Sequence, residues 1–130
     1  MKVAINKCFG GFGLSDKDAK RCIELGMTVT EYDQDGNYIN ENADFVYNKD
    51  RQSYRVTLNY DEDDIKNKLN NNTFRTDKRL IQSITELKEE ANARFSKLAI
   101  IEIPFDSIEG WYVDEYDGWE KIVENHRIWE

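Results

Sequence analysis

The chain has 130 residues and a net charge of −8. That length suits one domain with a single sizeable core, and the acidity argues against a protein that grips nucleic acid along its backbone, since neutralising phosphates needs a basic face. No apolar run approaches the ~18 residues that cross a bilayer, and the opening MKVAINKCFGG lacks the continuous apolar stretch of a signal peptide, so the expectation is a cytoplasmic protein without a membrane partner.

Residues 2–9 alternate loosely and read as a first strand. Gly10, Gly11 and Gly13 break it, and Ser15 can cap a helix over about 16–25, with Asp18 in the capping-box position. Strand, glycine loop and helix start can together cradle a phosphate. The spacing matches neither G-x-G-x-x-G nor the P-loop, however, and Asp16 and Asp18 would repel an anion. A tight turn with close packing is the favoured reading. Cys8 and Cys22 have no zinc-ligand spacing and read as reduced thiols.

Met27–Tyr32 and the residues from Tyr38 flank Asp35-Gly36, a hairpin turn signal. Glu31, Asp33, Asp35, Gly36 and Asn37 touch a calcium-loop pattern, but Asn42 stands where a bidentate glutamate is needed, so a metal is not expected. Residues 53–60 read as another strand. Residues 61–73, with an acidic cluster and an Asn run, read as an exposed connection with no more than one helical turn.

The stretch 76–104 organises the rest. Leu80, Ile84, Leu87, Ala91, Phe95 and Leu98 recur at three- and four-residue steps, which predicts one long helix over about 76–96, capped by Thr76 or Asp77. Leu98–Ile103 then reads as a central strand covered on both faces, stopped by Pro104. Trp111–Tyr116 is its expected antiparallel neighbour. Asp117-Gly118 turns the chain, and Trp119, Ile122, Val123 and His126 fall at helical spacing, predicting a short helix over about 118–126. The fold class is therefore α+β, a single domain over 1–130 with a mostly antiparallel sheet.

Enzymatic constellations are thin. His126 is the only histidine, no serine or cysteine lies in a nucleophile motif, and no metal or cofactor spacing survives inspection. A binding role is easier to argue. Arg75 precedes the helix expected from 76, where its guanidinium and the positive helix end suit phosphate. Arg127 lies beside Trp129 and offers the same chemistry. The alternative is that both arginines pair with nearby carboxylates.

INKCFGGFGLS (5–15), RTD (75–77), ELKEEANARFSKLAIIEIP (86–104) and EYDGWEKIVENHRIW (115–129) resemble a widespread group of small phage and prophage proteins associated with the Thoeris anti-defence sponges. The likeness covers both ends and the chain beyond residue 74, while 27–73 lies outside it. Lys78 stands where the commoner family version has proline. The resemblance implies an α+β protein that captures the cyclic ADP-ribose signal of an infected cell's TIR-domain sensor and holds it without cleaving it. It implies dimers or larger oligomers with ligand sites between subunits, and for some members separate sites for cyclic di- or trinucleotides. It further implies Arg75 and Arg127 at the ligand phosphates and Ile100 and Gly110 near the base and ribose, with Phe105 or Trp111 in place of a stacking aromatic. A rival expectation is an acidic inhibitor that imitates the charge of DNA and binds a host defence protein directly, because acidic side chains dominate 102–130.

Overall fold

Val3, Ala4 and Ile5 are almost completely buried, so strand β1 (Lys2–Asn6) serves two cores at once. Successive side chains of a strand point to opposite faces. Ala4 joins Leu80, Ile84, Phe45 and Phe74 on one side, and Val3 and Ile5 join Ile103 and Trp111 on the other. The computed structural model describes residues 1–57, 65–104 and 106–124. The fold is α+β, and of the strand pairings among the described residues one is parallel and the others antiparallel.

Helix α1 (Asp16–Glu24) forms where expected, and the Ser15 side chain accepts from the Asp18 N–H. The capping box is only half made. The Ser15 N–H donates to Ala91 O at 2.9 Å, and the Asp18 carboxylate turns inward to Ser83. A three-stranded sheet follows, with β2 (Val29–Glu31) parallel to β3 (Phe45–Asn48) and β3 antiparallel to β4 (Ser53–Val56). The Asp35-Gly36 turn closes only a single Tyr32–Tyr38 bridge. Asp33 Oδ1 accepts the N–H groups of Asp35 and Asn37 there, a local turn bond in place of a metal contact.

Several expectations are corrected from here on. Within 61–73, read as an exposed connection, a helix begins: α2 spans Ile65–Arg75. Its Asn run has poor helix propensity, but the helix is anchored by burial. Phe74 packs edge-on against Phe12 and Phe45, and Asn72 Nδ2 donates to Ile108 O and Trp111 O, both at 2.9 Å. The long helix over 76–96 is really α3 (Lys78–Leu87), capped by Asp77, plus a 3-10 turn at Lys88–Ala91. It stops because Lys88 adopts φ 54°, and the chain beyond turns to meet the glycine loop: Ala91 O accepts from Ser15, and Ser96 Oγ donates to Gly13 O. Leu80 and Ile84 keep the predicted inward face, each stabilising the fold by roughly 1.5–3 kcal/mol.

β5 (Leu98–Glu102) has apolar packing on both faces, Leu98 and Ile100 on one core and Ala99 and Ile101 on the other. Its neighbour is β1, in the register Ala4–Ile100, and not Trp111–Tyr116. That segment, β6 (Trp111–Tyr116), pairs with β7 (Trp119–Glu124). The helix expected over 118–126 is thus a strand as far as Glu124, and 125–126 lie outside the described residues. Asp117 (φ 50°) and Gly118 (φ 90°) are both left-handed, the two-residue turn that matches strand twist and sends the chain straight back. No helix among the described residues is long and apolar enough to cross a membrane.

Candidate functional site

The site is built on a buried charge pair. Arg75, the last residue of α2, is 0% exposed and lies between β1 and β7. Its Nη1 and Nη2 donate to Glu120 Oε1 and Oε2 at 2.7 and 2.6 Å, a two-pronged pairing. Nη1 also donates to Ala4 O (3.1 Å), Nε donates to Asn71 Oδ1 (2.6 Å), and the guanidinium sits 4.1 Å from the centre of the Phe12 ring. The Asn6 N–H gives Glu120 Oε1 a further donor at 2.7 Å. Such satisfaction is what a buried ion pair needs to offset its desolvation. Arg75 therefore does not present its fork to solvent at a helix start, as the sequence suggested; it ties α2 to β1 and β7.

Above that pair, the glycine loop meets the tip of the β6–β7 hairpin. Asn6 Nδ2 donates to Cys8 O and Gly118 O, both at 2.7 Å, and Asn6 Oδ1 accepts from the Lys97 N–H at 2.8 Å. Gly118 lies so close to Gly10 and Gly11 that a Cβ there would overlap their backbone, and one on Gly10 would collide with Phe95. The backbones approach because these positions carry no side chain. Large aromatic groups then project outward from the joint. Phe9 (62% exposed) and Trp119 (42%) have ring centres 5.1 Å apart, and Phe95 (64%) carries the Arg94 guanidinium 5.2 Å from its own. Tyr116, opposite Trp119 in register, is 75% exposed. An exposed aromatic surface with a cation at its edge can stack on planar rings or cover a second protein surface.

A groove of about 480 Å³ runs beside the start of α3, lined by Met1, Lys2, Thr76, Lys78, Ile81 and Gln82 among others. That volume lies within the range of small-molecule sites. Lys2 and Lys78 form no ion pair among the described residues and both supply positive charge, while Glu86, which also lines the groove, is paired with Arg21 at 2.8 Å. Asp77 next to them is occupied: burial pushes its carboxyl upward, but the Arg79 side chain and backbone donors outweigh this and hold it below its usual value.

The residues expected at a ligand do not gather around one cavity. Ile100 is half-buried on β5 against the first core. Gly110 is an exposed turn residue at φ 87°. Trp111 is buried in the second core, its Nε1 donating to Ser107 O at 2.8 Å. Phe105 and Arg127, with Trp129, lie outside the described residues. Sequence reasoning missed Asn6, Phe9, Phe95, Trp119 and Glu120. No spacing argument connects the five, which fall in three separate stretches of the chain. No family model, curated protein or solved structure matches the chain.

Proposed function

We propose that the protein is a non-catalytic, phage-type anti-defence factor that captures a small cyclic nucleotide signal of the cyclic ADP-ribose type and holds it intact within the infected cell. The observation that carries this reading is the groove beside α3. It is nucleotide-sized, it starts at the RTD segment, and Lys2 and Lys78 bring two positive charges to an otherwise strongly acidic protein. Charge-assisted contacts to phosphate are worth roughly 1.5–3 kcal/mol each. The aromatic surface of Phe9, Phe95 and Trp119 then serves as the contact between copies in a homo-oligomer, since exposed apolar patches of this kind mark interaction sites.

Calorimetric titration with cyclic ADP-ribose, followed by heat release and mass spectrometry, tests the proposal. The expected result is stoichiometric binding, recovery of the unchanged ligand, and at least about tenfold weaker binding in the Lys2→Glu/Lys78→Glu variant, the loss of one such contact. Release of a cleaved product, or no heat at all with cyclic ADP-ribose and cyclic dinucleotides, would sink it. A second reading is favoured by one feature: Asp106, Glu109, Glu115, Asp117 and Glu124 are all exposed around the β6–β7 hairpin, with Lys121 the one exposed cation of that strand pair. Under that reading a host protein binds this face, with an affinity that falls as salt rises.

A further inference from the structure

A second cavity, of about 180 Å³, lies between β4 and the loop leading into α1, lined by Phe12, Leu14, Ala19, Phe45, Tyr54 and Val56 among others. It shares no lining residue with the groove above and is independent of it. The Thr57 N–H donates to Asp44 O across the β3–β4 pair at 3.2 Å. Opposed residues alternate between hydrogen-bonded and non-bonded pairs in an antiparallel ladder. Phe45–Val56 and Tyr47–Tyr54 are therefore non-bonded pairs, and the N–H and C=O groups of Tyr54 and Val56 point away from β3. The Tyr54 N–H confirms the direction by donating to Asp16 Oδ1, at the start of α1, at 3.0 Å. No hydrogen bond reaches Tyr54 C=O or the Val56 N–H among the described residues.

An acceptor and the next donor along a free strand edge, opening beside a cavity walled by two phenylalanines, are the complement of one kind of ring. It must be planar, with an adjacent donor and acceptor on the rim of a six-membered ring. Adenine presents this pair as its 6-amino group and N1, the edge that proteins read on unstacked bases. The cavity admits the six-membered ring of the base, which carries both groups, since one near ~150 Å³ holds benzene. The exposed Arg55 also lines the cavity and has no ion pair among the described residues, so a cation is available for a phosphate on the same ligand. We infer that this cavity binds the adenine ring of a mononucleotide, with the 6-amino group donating to Tyr54 C=O and N1 accepting from the Val56 N–H.

The test is a titration of isotope-labelled protein with adenosine 5′-monophosphate, read at the amides of Ala19, Tyr54 and Val56. Its 1-deaza analogue, which lacks the N1 acceptor, serves as the control ligand. Saturable shifts at those amides are expected, with the 1-deaza analogue at least about tenfold weaker, a factor one lost hydrogen bond supplies. Val56→Pro should weaken the monophosphate equally while the protein stays folded, because proline is tolerated where the N–H faces away from the sheet. Lys2→Glu/Lys78→Glu should leave this binding unchanged, which separates it from capture in the groove. Unmoved amides at millimolar monophosphate, or equal affinity for the 1-deaza analogue, overturn the inference.

Discussion

Arg75→Ala removes a fully buried cation and leaves Glu120, also buried, without its partner. Breaking such a pair from one side costs about 3–5 kcal/mol, because the remaining charge stays in the interior. Ala4 O and Asn71 Oδ1 lose donors as well. Against a total stability of roughly 5–15 kcal/mol this is a large fraction. For a chain of this size it corresponds to a fall in Tm of about 10–20 °C. Replacing both partners at once, Arg75→Met with Glu120→Leu, removes the stranded charge and should recover most of the loss. Urea unfolding of wild type, both single variants and the double variant, followed by tryptophan fluorescence, measures the coupling directly. A Tm within about 2 °C of wild type for Arg75→Ala, accompanied by lost nucleotide binding, would refute the structural role and return this arginine to the ligand.

Two further outcomes are expected. Burial pushes the Asp18 carboxyl from 3.8 up to about 6, against the lowering effect of its hydrogen bond with Ser83. The folded state then holds the proton more tightly than the unfolded one, so stability falls as pH rises between these values and stays reduced above them, by ~3 kcal/mol. Asp18→Asn should abolish that fall and be the more stable protein at pH 8; parallel stability curves for the two between pH 4 and 7 would count against the reasoning. Gly118→Ala combines φ 90° with overlap onto the Gly10–Gly11 backbone, whereas Gly36→Ala at φ 84° meets only open space. Melting curves should show a loss of about 1–2 kcal/mol for Gly36→Ala and several-fold more for Gly118→Ala; similar losses would mean the hairpin tip does not rest on the glycine loop.

What was legible in the sequence was local. The Ser15 cap, the inward face of Leu80 and Ile84, the two Asp-Gly turns and the doubly apolar β5 all follow from neighbours within a few residues. Helix α2 was not legible, since its Asn run argues for a loop and its helix depends on where Asn72 and Phe74 are buried. β7 was misread because Trp119, Ile122 and Val123 satisfy a helical period, and in that reading Glu120 falls on the solvent side. Only its distant partner Arg75 makes a buried glutamate there intelligible. For the same reason Arg75 reads as available for phosphate: its carboxylate partner lies 45 residues further along the chain, out of reach of any spacing argument. The aromatic surface was hidden similarly, as Phe9 and Trp119 meet, and Phe95 comes up against Gly10, only after three separate segments converge.

The position of β1 has a consequence for synthesis. Its Val3-Ala4-Ile5 run leaves the ribosome well before its partners, for its ladder partner ends at Glu102 and the carboxylate that accepts from Asn6 belongs to Glu120. At about 5–20 residues per second, these apolar residues wait roughly 5–20 seconds for both. Until then α1 and the β2–β3–β4 sheet can form among themselves, but neither core can close. Contacts this distant along the chain also slow the final collapse. A nascent chain cut short before the β6–β7 hairpin would keep β1 sticky and without its Glu120 contact, the kind of surface that chaperones bind and proteases clear.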